Sequence, residues 1–224
     1  HILRYNYSTG KASVFDVGIK RSPILAFADL GNKNLVIGAH GEGSVIVNTE
    51  TLLPVNGTGV LLPSRPINKC VVDNSGIIWY ATQTGVIRYD PATESTHVYG
   101  ANLREDLGLS HENVSDITID PSGKIWAATR KGLDYYDPEK DDFIPVKEPA
   151  ELQSSWITDV VADTSGNLWL NMNNNRIAQY KTQSNELKIY YTDSGNRLDV
   201  FSLTGFYYAD DAHIYLGGKN EIIS

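Results

Sequence analysis

Short apolar runs punctuated by turn residues fill this chain, and no helical periodicity of useful length competes with them. The clearest stretch runs from Asp120. Asp120-Pro121-Ser122-Gly123 reads as a tight turn, and Ile125-Trp126-Ala127-Ala128 as a strand of apolar and small residues. Arg130-Lys131-Gly132 reads as a second turn and Leu133–Tyr136 as a second strand. The same order recurs at Asp73…Trp79 and Asp163…Trp169, with Trp six residues after Asp each time. Val36, Trp79, Trp126, Trp169 and Tyr215 occupy equivalent places, at successive spacings of 43, 47, 43 and 46 residues. A pattern held at fixed internal spacing is a structural repeat.

Each repeat predicts four short strands. Residues 24–56 hold Ile24–Ala28, Leu35–Gly38, Ser44–Asn48 and Leu52–Val55. Residues 67–99, 114–146 and 157–191 hold three further complete sets, the last closing with Leu187–Tyr191. Residues 1–17 predict two strands, an outer half-unit, and residues 201–224 the inner part of a fifth unit. Four strands at a period of ~40–45 residues predict an all-β fold, a β-propeller of four-stranded antiparallel blades. Blades are covered on both faces, which accounts for apolar runs in place of clean alternation. Gly85 and Gly132 follow the second strand, where a tight turn needs positive φ, and Asn175 takes that place in the fourth unit. About five blades are present. Either they belong to a seven-bladed ring, or the two partial units pair to close a ring of five.

Composition narrows the function classes. The net charge of −8 disfavours nucleic acid or an anionic membrane surface as partner. A single cysteine, Cys70, sits in an apolar run and is expected to be a buried, inert thiol. The N-terminal residues alternate in polarity without an apolar core, unlike a signal peptide, and suggest a piece of something longer. No histidine pair has metal-ligand spacing, and no nucleophile elbow or phosphate-cradling loop is present, so no metal, cofactor or catalytic set is predicted.

Asp-x-x-Gly-x-x-Trp-x-x-Thr-x-x-Gly-Leu/Val-x-x-Tyr-Asp, complete from Asp120 to Asp137 and nearly so from Asp73 to Asp90, resembles the two-component regulator propeller repeat. The resemblance covers essentially the whole chain. It implies paired seven-bladed propellers in the periplasmic sensor part of hybrid two-component systems, which detect glycan breakdown products as homodimers. The tail from Asp199 to Ile222 is similar to the last blade of the second propeller, normally followed by an immunoglobulin-like domain, a membrane span and a histidine kinase. The first unit departs by lacking the Trp, the fourth by Asn171-Met172-Asn173, and the fifth by lacking the turn glycine.

Because Asp73, Asp120 and Asp163 recur once per unit at a turn, capping explains them better than acid–base catalysis. Binding chemistry is expected where the copies differ, in loops after each second strand and between blades. Those loops carry His40, Glu42, Gln83, Arg130, Lys131, Asn173, Asn174 and Lys219, with Arg65, Arg104, His111, Trp156 and Arg197 between blades. His40, Arg130, Lys131, Asn173, Asn174, Trp156 and Arg197 are the preferred candidates. Planar donors and an exposed aromatic suit an acidic or neutral oligosaccharide. The reading is a non-enzymatic sensor propeller. A scaffold for protein partners is the first alternative, and a propeller lyase or lactonase the second.

Overall fold

In a computed structural model of the chain, the residues described are 2–55, 61–62, 65–101, 107–173, 176–191, 206–210, 213–217 and 222–223. They form a β-propeller. A hairpin of β1 (Ile2–Asn6) and β2 (Lys11–Phe15) precedes the first blade. That blade is β3 (Ile24–Gly31), β4 (Asn34–Ala39) and β5 (Gly43–Asn48). The second is β6 (Ile67–Val72), β7 (Ile78–Thr82), β8 (Gly85–Asp90) and β9 (Ser95–Tyr99). The third is β10 (Val114–Ile119), β11 (Ile125–Thr129), β12 (Gly132–Asp137) and β13 (Asp142–Pro145). The fourth is β14 (Ile157–Ala162), β15 (Leu168–Met172), β16 (Arg176–Lys181) and β17 (Glu186–Tyr191). A last sheet joins β18 (Phe206–Asp210), β19 (His213–Gly217) and β20 (Ile222–Ile223). Every sheet is antiparallel in sequential order. The first strands touch in turn, β3 on β6, β6 on β10, β10 on β14 and β14 on β18, which places them around one axis.

The expected fourth strand of the first unit, Leu52–Val55, is reduced to a single bridge between Val47 and Pro54. Asn48 explains this. Its side chain accepts the N–H groups of Glu50 and Thr51, while Leu52 turns to φ 62° and its N–H donates to the Asn48 carbonyl. The chain spends its donors on a turn instead of a ladder.

The turn motif has a fuller explanation than capping. In each of the three good copies the carbonyl of Asp accepts the N–H of the glycine three residues on: Asp73–Gly76, Asp120–Gly123 and Asp163–Gly166. These glycines have φ of 81°, 89° and 81°. The Asp Oδ1 accepts the N–H groups two and four residues on. Its Oδ2 accepts the indole N–H of the Trp six residues on, at 2.9 Å for Trp79, 2.9 Å for Trp126 and 3.2 Å for Trp169. The six-residue spacing is the reach of a hairpin from its turn to the second position of the returning strand. The hydrogen bond fixes the ring of a side chain that is otherwise an apolar wedge.

The wedge works between blades. Trp79 lies against Tyr136 and Phe143 of the third blade, at 4.7 Å and 6.3 Å between ring centres. Trp126 meets Tyr180 of the fourth blade edge-on at 6.3 Å. The core of the described residues divides accordingly, with one apolar cluster at each boundary among the first four blades and one between the N-terminal hairpin and the first blade. Cys70 belongs to the cluster between the first two blades, and burial pushes its thiol up to about 12, as expected of an inert core residue.

The Thr-x-x-Gly segment also resolves into bonds. Thr82 and Thr129 donate their hydroxyls to the carbonyls of Gly85 and Gly132, at 2.7 Å and 3.0 Å, and accept the N–H two residues on. At Gly85, φ is 118° and a Cβ would stand 2.1 Å from the Tyr99 carbonyl oxygen. In the fourth blade the loop is one residue longer, and Met172 pairs with Arg176 where Thr129 pairs with Gly132. Arg176, and not Asn175, therefore holds the glycine's place in register; Asn175 itself lies outside the described residues.

Two stability measurements test these assignments. Trp126→Phe is expected to cost about 1–2 kcal/mol and Asp120→Ala about 2–3 kcal/mol in urea denaturation, because removing the shared acceptor orphans several donors. In the double variant the losses should fall short of additive by about 1 kcal/mol; full additivity would mean the indole bond contributes nothing. Gly85→Ala should lower stability by about 2–4 kcal/mol through strain and the backbone clash, and an unchanged melting temperature would refute that geometry.

Candidate functional site

Strand direction sorts the loops by end. The turns joining first to second and third to fourth strands lie at one end of the ring. Those joining second to third strands, and one blade to the next, lie at the other, here the rim. Three rim loops are tied down alike: the backbone N–H groups of His40, Arg130 and Asn173 donate to the carbonyls of Pro23, Asn113 and Trp156 just before each first strand.

The candidates separate into pairs. Arg130 sits over the Trp156 ring, its guanidinium carbon 5.2 Å from the ring centre. Trp156 is 38% exposed, and its indole N–H donates to Ser115 Oγ at 3.2 Å. Asn173 adjoins them through its bond to the Trp156 carbonyl. It also accepts from Arg176, side chain to side chain at 2.9 Å and through its carbonyl at 3.1 Å. Arg176 reaches on to Ser155 at 3.4 Å. Arg130, Trp156, Asn173 and Arg176 thus form one patch across the boundary between third and fourth blades. Lys131 is exposed, and its backbone N–H is held by Thr129.

His40 belongs to a separate pair at the boundary of the first two blades, its Nε2 2.9 Å from the Gln83 amide nitrogen. With the amide donating, His40 accepts at Nε2. Arg65 bonds Thr84 at 3.2 Å nearby. Glu42 is not free for a ligand: both carboxylate oxygens accept backbone N–H groups, from Lys20 and Arg21, at 2.8 Å. Asn174, Arg197, Arg104 and Lys219 lie outside the described residues.

Below the rim the first strands carry a polar ring that the apolar reading of strands passes over. Each of β3, β6, β10 and β14 has a register shift at the same place, after Ile24, Ile67, Val114 and Ile157. The residues at and after the bulge are Asn68 and Lys69, Ser115 and Asp116, Thr158 and Asp159. They connect blade to blade. Asn68 donates to the Val114 carbonyl at 2.7 Å, Asp116 accepts the Val160 N–H at 2.9 Å, and Lys69 stands 3.9 Å from Asp116. Asp159 accepts from Asn171 at 3.0 Å. A bulge re-aims a side chain out of the ladder, which makes these lateral bonds possible. The signal available in the sequence is the recurrence of polar residues at one offset in the second, third and fourth repeats, where the first has Leu25 and Ala26.

Two buried carboxyls are unusual. Burial pushes Asp116 up to about 6, against the pull of Lys69 and with the help of Asp159. Asp134, in β12, is wholly buried. Its Oδ1 accepts the Ser110 hydroxyl and N–H at 2.5 Å and 3.1 Å, while its Oδ2 has no hydrogen-bond partner among the described residues, and burial pushes it up to about 7. Among the described residues, no group of three or more His, Cys, Asp or Glu side chains is placed to hold a metal ion. No helix among them is long and apolar enough to cross a membrane.

No family model matches the chain, and no curated protein matches it. Solved structures do. The extracellular domain described as that of a hybrid two-component system from B. thetaiotaomicron superposes with a TM-score of 0.74 at 20% identity, over 98% of this chain and 29% of that one. A second such domain from the same organism gives 0.70 at 18% identity, over 92% of this chain and 28% of that one. A virginiamycin B lyase from Staphylococcus aureus gives 0.66 at 14% identity, over 90% of this chain and 66% of that one. At these identities the likeness establishes the propeller fold. The chain spans under a third of the length of the two extracellular domains.

The raised carboxyls predict a pH dependence with a definite sign. A carboxyl whose folded-state pKa exceeds its unfolded value contributes stability that is fully present below the ordinary carboxylate range and lost as pH rises through the folded value. For Asp116 and Asp134 the loss falls between about pH 4 and about pH 7 and amounts to several kcal/mol together. Urea denaturation at about pH 5 and about pH 8 should show wild type weaker at the higher pH, and Asp116→Asn/Asp134→Asn should flatten the difference. An equal difference in the double variant would refute the assignment.

Proposed function

We propose that this propeller is an extracytoplasmic ligand-recognition module of a hybrid two-component regulator, periplasmic, and part of a larger sensor whose histidine kinase lies outside this chain. The observation that carries the reading is the Arg130–Trp156 pair on the rim, in loops where the repeats disagree, on a fold shared with two extracellular domains of such systems. The ligand class is a glycan breakdown product. An exposed indole offers a face for a sugar ring, while Arg130, Asn173 and Arg176 supply donors and acceptors for hydroxyl or carboxylate groups. The chain corresponds to the C-terminal part of the second of two seven-bladed propellers. The sensor is a homodimer in which bound ligand shifts the population of propeller arrangements and so biases the kinase.

Calorimetry of the intact sensor against an oligosaccharide library tests this. One class is expected to bind, and Trp156→Ala should weaken it about 10-fold or more, with Arg130→Ala weakening it less. Both variants should melt within about 2 °C of wild type, since these side chains lie outside the blade cores. Absence of binding by the intact sensor, with normal signalling in cells deprived of glycans, would overturn the glycan reading.

A further inference from the structure

The repeat allows one blade boundary to be compared with the next, and at the end of the ring opposite the rim the two hold charge differently. Between the second and third blades, Arg88 in β8 pairs across the strand from Trp79. Its guanidinium donates to Asp141 at 3.0 Å, to Tyr136 at 3.2 Å and to Tyr99 at 3.1 Å. Asp141 also accepts the hydroxyls of Tyr136 and Tyr99, at 2.5 Å and 2.8 Å. Cation, aromatics and carboxylate close that boundary with the charges matched.

Between the third and fourth blades Tyr135 takes Arg88's register place across from the Trp, so neither the guanidinium nor the carboxylate of the preceding boundary recurs. Tyr180 stands where Tyr136 stands, and Asn185 stands where Asp141 stands, both turn residues having positive φ, 57° and 46°. The Tyr180 hydroxyl bonds Asn185 at 2.8 Å, as Tyr136 bonds Asp141, so the geometry is kept and the charge is gone. A cation is present nonetheless. The Lys124 ammonium lies 3.5 Å from the centre of the Tyr135 ring and 4.7 Å from that of Trp126. Burial holds its pKa below the ordinary lysine value, although Asp120 and Asp137 pull the other way. Among the described residues its ammonium makes no ion pair within 4.0 Å. The boundary is open as well: Lys124, Tyr135, Tyr180 and Asn185 line a cleft of about 510 Å³ together with Lys147, Glu148 and Lys140, the last paired with Asp137 at 3.2 Å. That volume falls in the range of small-molecule sites, about 300–1,000 Å³.

We propose that this cleft binds a small anionic ligand the size of a single acidic sugar, whose carboxylate or sulfate takes the place that the Asp141 carboxylate fills at the preceding boundary. A half-buried ammonium with its aromatic contacts in place, in a protein of net charge −8, is a local site for negative charge. The site lies at the other end of the ring from the Arg130–Trp156 patch and does not rest on any role for that patch.

The test is calorimetric titration of the chain with glucuronate, with glucose as the uncharged match and glucose 6-sulfate as the second anion. Saturable binding of at least one anion, weakened by added salt, is expected, with glucose binding at least about 10-fold more weakly. Asn185→Asp restores the carboxylate of the preceding boundary and should reduce anion affinity about 10-fold or more, as should Lys124→Gln. Arg130→Ala should leave it unchanged. Asn185 is an exposed turn residue, so its variant remains informative even if Lys124→Gln fails to fold. No saturable binding of either anion up to ~10 mM, equal binding of glucose, or wild-type affinity in Asn185→Asp would overturn the proposal.

Discussion

The hydrogen bond from the indole of Trp126 to the carboxylate of Asp120 joins the two things a blade must do. The same carboxylate closes the turn between the first two strands, so the residue that makes the hairpin also aims the side chain that seals it to its neighbour. A single blade cannot bury its apolar faces alone. Each core cluster here straddles a boundary, and the wedge of one blade is packed by aromatics of the next. Secondary structure and blade-to-blade packing are therefore set by one short motif, which is why it recurs while its surroundings drift.

Apolar burial between blades is non-directional and leaves their angular register loosely specified. Around the axis, the bulged first strands add direction. Asn68 bonds the second blade to the third, and Asp116 bonds the third to the fourth, each through a backbone group of the neighbour. The cost is burial of Asp116 beside Asp159, with Lys69 offsetting only part of it at 3.9 Å. Buried polar bonds of this kind contribute less to net stability than to uniqueness of arrangement.

Much of this is legible in the sequence. The repeat period and the strands of the second to fourth units follow from spacing and turn chemistry, because each is a local property of a hairpin. Three things are not. The strand expected at Leu52–Val55 gave way to a turn capped by Asn48, a competition between side-chain and ladder bonds that an apolar pattern does not reveal. The ring of bulge residues stayed hidden because bulges shift the register by one residue, so polar side chains look misplaced in an apolar strand. Arg176 was missed because the loop before it is one residue longer, which moves an arginine into the register position of a glycine.

At the candidate sites the same logic runs in reverse. His40 and Arg130 were grouped as rim residues, yet they sit at different blade boundaries, paired with Gln83 and Trp156. What a repeat shares is fixed by packing, so recurrence marks stability, and binding chemistry has to be sought in departures. Substitutions such as Asn185 for Asp141 are departures of a particular kind. The hydroxyl bond to the turn side chain is retained, from Tyr180 as from Tyr136, while the carboxylate and the guanidinium it pairs with are both replaced by neutral groups. A charge difference at a retained turn geometry is harder to see in a sequence than a lost glycine or an added loop. It becomes visible only once the register between blades is known residue by residue.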